Sequence, residues 1–264
     1  MKKIMFFDVD GTLIPEDGDH VVPESTFEAL RLARKAGNLL FVNTGRTPVM
    51  VGEKIRSMGF DGFICGCGTY IECGGRELFY NRLSREFCLS VAETVRKYDG
   101  CPMYEHRGGI FSDPKTRRIE PVCGIHDSLG INGLSDNRTV YDDDFIFDKF
   151  VLSFDEKTDL EHLRPKIEED FAWIERGETF AELVPKNCSK ATGIDFVRER
   201  LGLERGQCYA IGDSLNDLPM FSAVGTSISM GNGEMLAPYA DYVTDDIHAD
   251  GLYKAMEHFG FFEE

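Results

Sequence analysis

Apolar and mixed runs alternate along the first third of the chain with two different periods. "KKIMFFD" (2–8) is continuously apolar after its lysines, the texture of a strand buried on both faces. "PESTFEALRLARKAG" (23–37) spaces Phe27, Leu30 and Ala33 at helical intervals and stops at Gly37, which predicts an amphipathic helix with a C-terminal glycine. "NLLFVNTGR" (38–46) predicts a second strand, "TPVMVGEKIRSMG" (47–59) a second helix and "DGFICGCGTYIEC" (61–73) a third strand region. This βαβαβ succession implies parallel strands joined by crossover helices, hence a doubly wound, Rossmann-like α/β sheet.

The texture then changes. Gly74-Gly75 reads as a hairpin turn, and Ser84 as the cap of a helix running to about Tyr98. Short strand-like pieces follow at 101–111, 147–154, 171–177 and 179–185, with a helical stretch at 158–169 that Pro165 should kink or delay. Clustered strands with two helices predict an α+β insert. After Pro185 the α/β rhythm returns, with helices at 190–202, 216–225 and 248–260 and strands at 207–213, 226–231 and 241–244. One α/β core domain, residues 1–82 and 187–264, is therefore expected to be split by an α+β cap domain at 83–186.

Composition narrows the function. With 264 residues, 42% apolar and 28% charged, the chain has the makeup of a folded protein of one large or two modest domains. A net charge of −17 argues against nucleic acid and anionic membrane surfaces as partners. No window approaches the roughly 20 apolar residues of a membrane helix, and "MKKIMFFDVDG" lacks the length and cleavage site of a signal peptide. A cytoplasmic protein with no obligate protein partner is the expectation. The eight cysteines form no C-x-x-C pair and read as small buried hydrophobes, and the six histidines have no metal-ligand spacing.

The chemistry concentrates where strands end. Asp8 and Asp10 flank Val9, so alternation sends both carboxylates to one side at the end of a buried strand, where unpaired they repel. The second strand ends in Thr44-Gly45-Arg46, a helix begins at Lys190, and a later strand ends in Asp213, followed by Asn216 and Asp217. In an open parallel sheet all of these lie along one edge, where ligands bind. Carboxylates that tolerate one another beside a lysine imply a hard cation, and Mg²⁺ fits best.

These segments resemble the haloacid dehalogenase (HAD) superfamily, and within it the Cof-type (subfamily IIB) phosphatases. "FDVDGTLI" is similar to the nucleophile motif, "TGR" at 44–46 to the second, Lys190 in "PKNCSKATGID" to the third and "GDSLNDLPM" to the fourth; the insert resembles that branch's cap. The resemblance implies that Asp8 is the phosphoryl-accepting nucleophile and a metal ligand. It implies that Asp10 is the acid and base, touching the metal through its backbone carbonyl, and that Asp213 is a further ligand. Thr44, Gly45, Lys190 and Asn216 would hold phosphate, with Asp217 and Arg46 behind them. The implied activity is Mg²⁺-dependent hydrolysis of a small phosphorylated metabolite, a sugar phosphate or a phosphorylated cofactor or nucleotide, through an aspartyl-phosphate. A phosphomutase and a catalytically idle phosphate-binding regulator remain as alternatives.

Other features carry plainer readings. Asp142-Asp143-Asp144 reads as a solvated turn before a second metal site, and Glu105–Gly109 as a hairpin connection before a substrate-reading loop. Phe111, Phe145, Phe147, Phe150 and Trp173 read as core. Cys67 stands where family members commonly carry asparagine, so a substrate contact from that position does not carry over.

Overall fold

The structure, a computed structural model, describes residues 2–17, 20–119 and 138–263. Cys123 lies outside the described residues; the other seven cysteines are free thiols. The chain divides into two compact units. One comprises Met1–Gly45, Glu53–Phe79 and Ser189–Glu264, the other Arg46–Gly52 and Tyr80–Cys188.

In the first unit the strands are β1 (Ile4–Phe7), β2 (Leu39–Asn43), β3 (Gly62–Cys65), β4 (Tyr70–Cys73) and β5 (Arg76–Tyr80), then β11 (Cys208–Gly212), β12 (Thr226–Ser229) and β13 (Tyr242–Val243). They form one sheet in the order β13-β12-β11-β1-β2-β3-β4-β5. From β13 to β3 neighbours are parallel, whereas β4 returns antiparallel on β3. The mixed α/β fold with a parallel core is thus the one the periodicity implies. Its helices are α1 (Glu24–Lys35), α2 (Glu53–Arg56), α5 (Lys190–Leu201), α6 (Leu218–Ala223) and α7 (Gly251–His258). Ile4, Phe6, Phe41 and Ile64 share one cluster with Ile194 and Val197 of α5 and Met220 of α6, which fixes those helices on one sheet face. Strand order reverses around β1, with β2 on one side and β11 on the other, so the crevice at the strands' C-terminal ends opens beside β1.

Two expectations fail locally. The helix expected over 47–59 is broken into a 3₁₀ turn at Pro48–Met50, extended backbone at Val51 and one turn at α2. Pro48 disfavours the α region at Thr47, and Val49 and Met50, themselves in the second unit, pack there with Cys101, Met103, Ile110 and Val151. Phe27, expected on the buried stripe of α1, is 42% exposed; the stripe is Thr26, Ala29, Leu30 and Ala33.

The second unit has a five-stranded antiparallel sheet, β7-β6-β8-β10-β9, from β6 (Cys101–His106), β7 (Gly109–Ser112), β8 (Lys149–Ser153), β9 (Phe171–Gly177) and β10 (Phe180–Pro185). Helices α3 (Arg85–Lys97) and α4 (Leu160–Ile167) belong to it, and the Ser84 side chain caps α3 by accepting from the Phe87 N–H. Tyr104, Phe111, Phe145, Phe147 and Phe150 form the core against Val91, Val95, Leu163 and Ile167, with Trp173 at its edge. Glu105 and His106 pair with Ile110 and Gly109, so the Glu105–Gly109 stretch is a hairpin. Asp143 and Asp144 are exposed, and Arg138 pairs with Asp142 and Asp144.

Candidate functional site

Four backbone segments deliver the site. Asp8 is the first residue past β1, and its N–H still bonds the Ile211 carbonyl of β11 at 3.0 Å. Asp213 leaves β11 one residue after the strand, and Thr44 leaves β2. Lys190 opens α5, whose first turn is fixed by Ser189: the serine oxygen accepts from the Thr192 N–H, and the Thr192 hydroxyl accepts from the Ser189 N–H. The loop after β1 needs glycine at position 11. Gly11 has φ +79°, and a Cβ there would stand 2.2 Å from Asp213 Oδ2.

Lys190 is 2% exposed and lies between two acids. Its Nζ donates to Asp8 Oδ1 at 2.7 Å and to Asp217 Oδ1 at 2.6 Å. The other Asp217 oxygen accepts from the Asp213 N–H at 3.1 Å and the Ser214 N–H at 3.4 Å. Asp213 Oδ1 accepts from the Thr12 hydroxyl at 3.0 Å, and no cationic side chain among the described residues pairs with Asp213. Asp8, Asp213 and Asp217 each place a carboxylate oxygen within 4.8 Å of the others.

Three carboxylates against one ammonium leave a buried surplus of negative charge. Burial, then the charge of Asp217, pushes Asp8 up to about 7 despite Lys190. Burial, then Asp8 and Asp217, pushes Asp213 up to about 8. Burial opposes the charge on Lys190, but Asp217 and Asp8 outweigh it and hold the lysine protonated well above its ordinary range. The donor set is all hard oxygen, and a compact divalent cation would relieve the repulsion that raises both acids.

The remaining expected residues are distributed as follows. Thr44 is buried, with its N–H bonded to the Ile64 carbonyl and its own carbonyl accepting from the Cys67 N–H. Asp10 is half-buried and outside the carboxylate trio. Asn216 is half-buried and accepts a hydrogen bond from the Ser214 hydroxyl. Gly45 ends the first unit; Arg46 belongs to the second, where its guanidinium donates to the Met50 carbonyl at 3.5 Å. Two residues that sequence reasoning did not single out also hold the site. Asn232 donates to the Gly11 carbonyl at 2.8 Å, and Asn43 donates to the Lys190 carbonyl at 2.9 Å. Each is a lone polar residue whose partner is far away in sequence, so no local pattern marks it.

A model of haloacid dehalogenase-like hydrolases matches residues 5–256, a span that includes every element of this edge. The chain belongs to that family. It is 28% identical over 268 residues to an HMP-PP phosphatase of Klebsiella pneumoniae, covering 98% of this chain and 94% of the relative. It is 26% identical over 260 residues to the 5-amino-6-(5-phospho-D-ribitylamino)uracil phosphatase YcsE of Bacillus subtilis, covering 97% and 95%. Among solved structures, the HAD subclass IIB sugar phosphatase BT4131 superposes with a TM-score of 0.81 at 26% identity, over 98% of this chain and 100% of that one. The enzyme class is accordingly that of a phosphoric monoester hydrolase. No helix among the described residues is long and apolar enough to cross a membrane.

Proposed function

We propose that this enzyme hydrolyses small phosphomonoesters with Asp8 as nucleophile, and that Mg²⁺ is its cofactor. The observation that carries the reading is the buried Lys190 bridging Asp8 and Asp217 beside Asp213, with which no cationic side chain among the described residues pairs. Asp8, Asp213 and the Asp10 carbonyl would hold the metal. Bound Mg²⁺ would supply the positive charge that lets a carboxylate approach a phosphate dianion. Asp217 stays on Lys190 and the Asp213 N–H, so it orients both.

In the first step an Asp8 oxygen attacks phosphorus as the bond to the leaving oxygen breaks, and the Asp10 carboxyl gives that oxygen its proton. Lys190 and the Thr44 hydroxyl hold the transferring oxygens, with Gly45 and Asn216 beside them and Arg46 behind. In the second step Asp10, now a carboxylate, takes a proton from water, which attacks the phosphorus of the aspartyl-phosphate. Inorganic phosphate leaves, and Asp8 is restored as a carboxylate.

The leaving group is a small soluble metabolite, a sugar phosphate or a phosphorylated cofactor or nucleotide. The three relatives named above support this breadth: their names specify HMP-PP, a phosphoribitylamino-uracil and a sugar phosphate. Phosphate release from a panel of such metabolites with Mg²⁺ tests the activity. Transfer of the phosphoryl group within a substrate, with no phosphate released, would instead make the enzyme a mutase. The insert at 83–186 serves as a lid that excludes water during phosphoryl transfer. Replacing it with a short linker should lower kcat/KM for metabolite substrates at least tenfold, and unchanged kinetics across several of them would reject the lid.

A further inference from the structure

Alternation along β2 gives the sheet face under α5 three residues, Leu39, Phe41 and Asn43. Phe41 packs there among Ile64, Ile194 and Val197. Asn43 is a fully buried amide on the same face. Its Nδ2 donates to the Lys190 carbonyl at 2.9 Å, while its Oδ1 has no hydrogen-bond partner among the described residues. Burying an amide with one end unbonded is unfavourable, so the bond that is made must account for the residue at this position.

That bond fixes one end of the lysine that matters most. Lys190 has four flexible side-chain torsions, and its ammonium must reach Asp8 at 2.7 Å and Asp217 at 2.6 Å. Those two contacts hold the tip, and the Asn43 amide holds the main chain at the other end. A second brace meets the same point. The turn Gly66–Gly68 donates the Cys67 N–H to the Thr44 carbonyl at 3.0 Å. Gly68, at φ +87°, lies so close to the helix start that a Cβ would stand 2.4 Å from the Ser189 carbonyl oxygen. Asn43 and Thr44 are consecutive, so the lysine mount and the threonine hydroxyl share one rigid strand end.

We propose that Asn43 is a positioning residue for phosphoryl transfer, holding the Lys190 ammonium in register with Thr44 and Asp8 through the Lys190 carbonyl. The inference rests on the phosphatase reading above. Asn43 itself is not in the catalytic roles assigned there and acts only through Lys190.

The test is a double-mutant cycle on the full chain with Mg²⁺ and p-nitrophenyl phosphate. Asn43→Leu keeps the branched shape of the side chain with somewhat more bulk and removes the donor, and kcat/KM should fall about 10–100-fold, because a small misplacement of a charged group is costly in phosphoryl transfer. In a Lys190→Met background the same substitution should change kcat/KM less than about threefold, the mark of two residues acting as one unit. Inorganic phosphate, titrated calorimetrically, should bind the Asn43→Leu variant more weakly by a similar factor, and this readout needs no turnover. An equal loss in both backgrounds, or wild-type kinetics and phosphate affinity in a folded Asn43→Leu variant, overturns the proposal. Should Asn43→Leu not fold, a crystal structure of Asn43→Ser decides: an unmoved Lys190 ammonium rejects the role, a displaced one supports it. Wild-type protein that releases no phosphate would defeat the phosphatase reading alone, and the phosphate titration would still judge Asn43.

Discussion

Each unit of this molecule buries a lysine between two carboxylates, and the two clusters differ in how the charge is closed. In the second unit Lys149 reaches Glu105 at 2.9 Å and Glu182 at 2.8 Å, and Arg176 closes on the other Glu182 oxygen. Two cations meet two anions. Glu105 lies opposite Lys149 in the β6–β8 register, and Glu182 is on the neighbouring strand of the same face. Burial works against the Glu182 charge, but Lys149 and Arg176 outweigh it and hold its carboxyl far below the ordinary carboxylate range. Glu105 on the same lysine is raised by burial, which Lys149 offsets only in part. In the first unit Lys190 meets Asp8 and Asp217, Asp213 adds a third carboxylate, and burial together with the neighbouring carboxylates pushes both Asp8 and Asp213 up. A balanced buried cluster can stand as a structural network; the surplus in the first unit is what the proposed Mg²⁺ would offset. On the proposed reading the same residue types serve strand registry in one place and hold a cation in the other.

The most damaging way to probe the unbalanced cluster is to remove the proposed nucleophile. Asp8→Asn should lower kcat by roughly 10⁴–10⁶-fold, the range for deleting a covalent nucleophile, and exhaustive chelation should abolish turnover until Mg²⁺ is restored. Substantial phosphate release under either condition would defeat the reading of the surplus charge.

Asp10 sharpens the contrast because it is outside the trio. Asp10→Asn should cost about 10²–10⁴-fold with an alkyl phosphate, the usual worth of a general acid. With a good aryl leaving group, phosphorylation should be nearly spared and Asp8-phosphate should accumulate, seen as a rapid-quench burst. Mg²⁺ affinity should change little, since the backbone carbonyl survives; its collapse would make Asp10 chiefly a ligand.

Breaking the balanced cluster should act on stability. Lys149→Met leaves Glu105 and Glu182 buried without their shared lysine and should cost about 3–5 kcal/mol in urea unfolding. Adding Glu105→Leu and Glu182→Leu should recover most of that loss, because an apolar replacement removes the charges that were stranded. No recovery would mean that the network does more than balance itself.

The smallest effect is the dependence of metal stabilisation on pH. Asp8 and Asp213 in the metal-free fold bind protons more tightly than their ordinary 3.8, at about 7 and about 8. Between those limits the folded state holds more protons than the unfolded one, so the stability of the metal-free protein should fall as pH rises. The gain in Tm on adding Mg²⁺ should therefore be larger at pH 8 than at pH 5.5. Glu182 has the opposite sign: its contribution is full above the ordinary 4.5 and is lost only as pH falls through its depressed folded value. A Mg²⁺ gain that shrinks between pH 5.5 and 8 would contradict the assignment of the surplus to Asp8 and Asp213.

Much of this protein was decided within short stretches of chain. Period-2 alternation is local, so the strand ends carrying Asp8, Thr44 and Asp213 and the helix start carrying Lys190 are legible without coordinates, as is the parallel sheet that gathers them on one edge. What alternation could not reveal is which polar residues face inward. Nothing in the local pattern links Glu105, Lys149 and Glu182, and only the pairing of β6, β8 and β10 brings them together. Asn43 is 147 positions from Lys190 and Asn232 is 221 from Gly11, so neither bond leaves a trace in its own neighbourhood. The helix expected at 47–59 was lost for the same reason, since packing of Val49 and Met50 within the second unit outweighs local helical periodicity. Local sequence sets the backbone period and the order of the motifs because those depend on neighbouring side chains. Charge balance and anchoring depend on groups brought close by folding, and only the tertiary structure decides them.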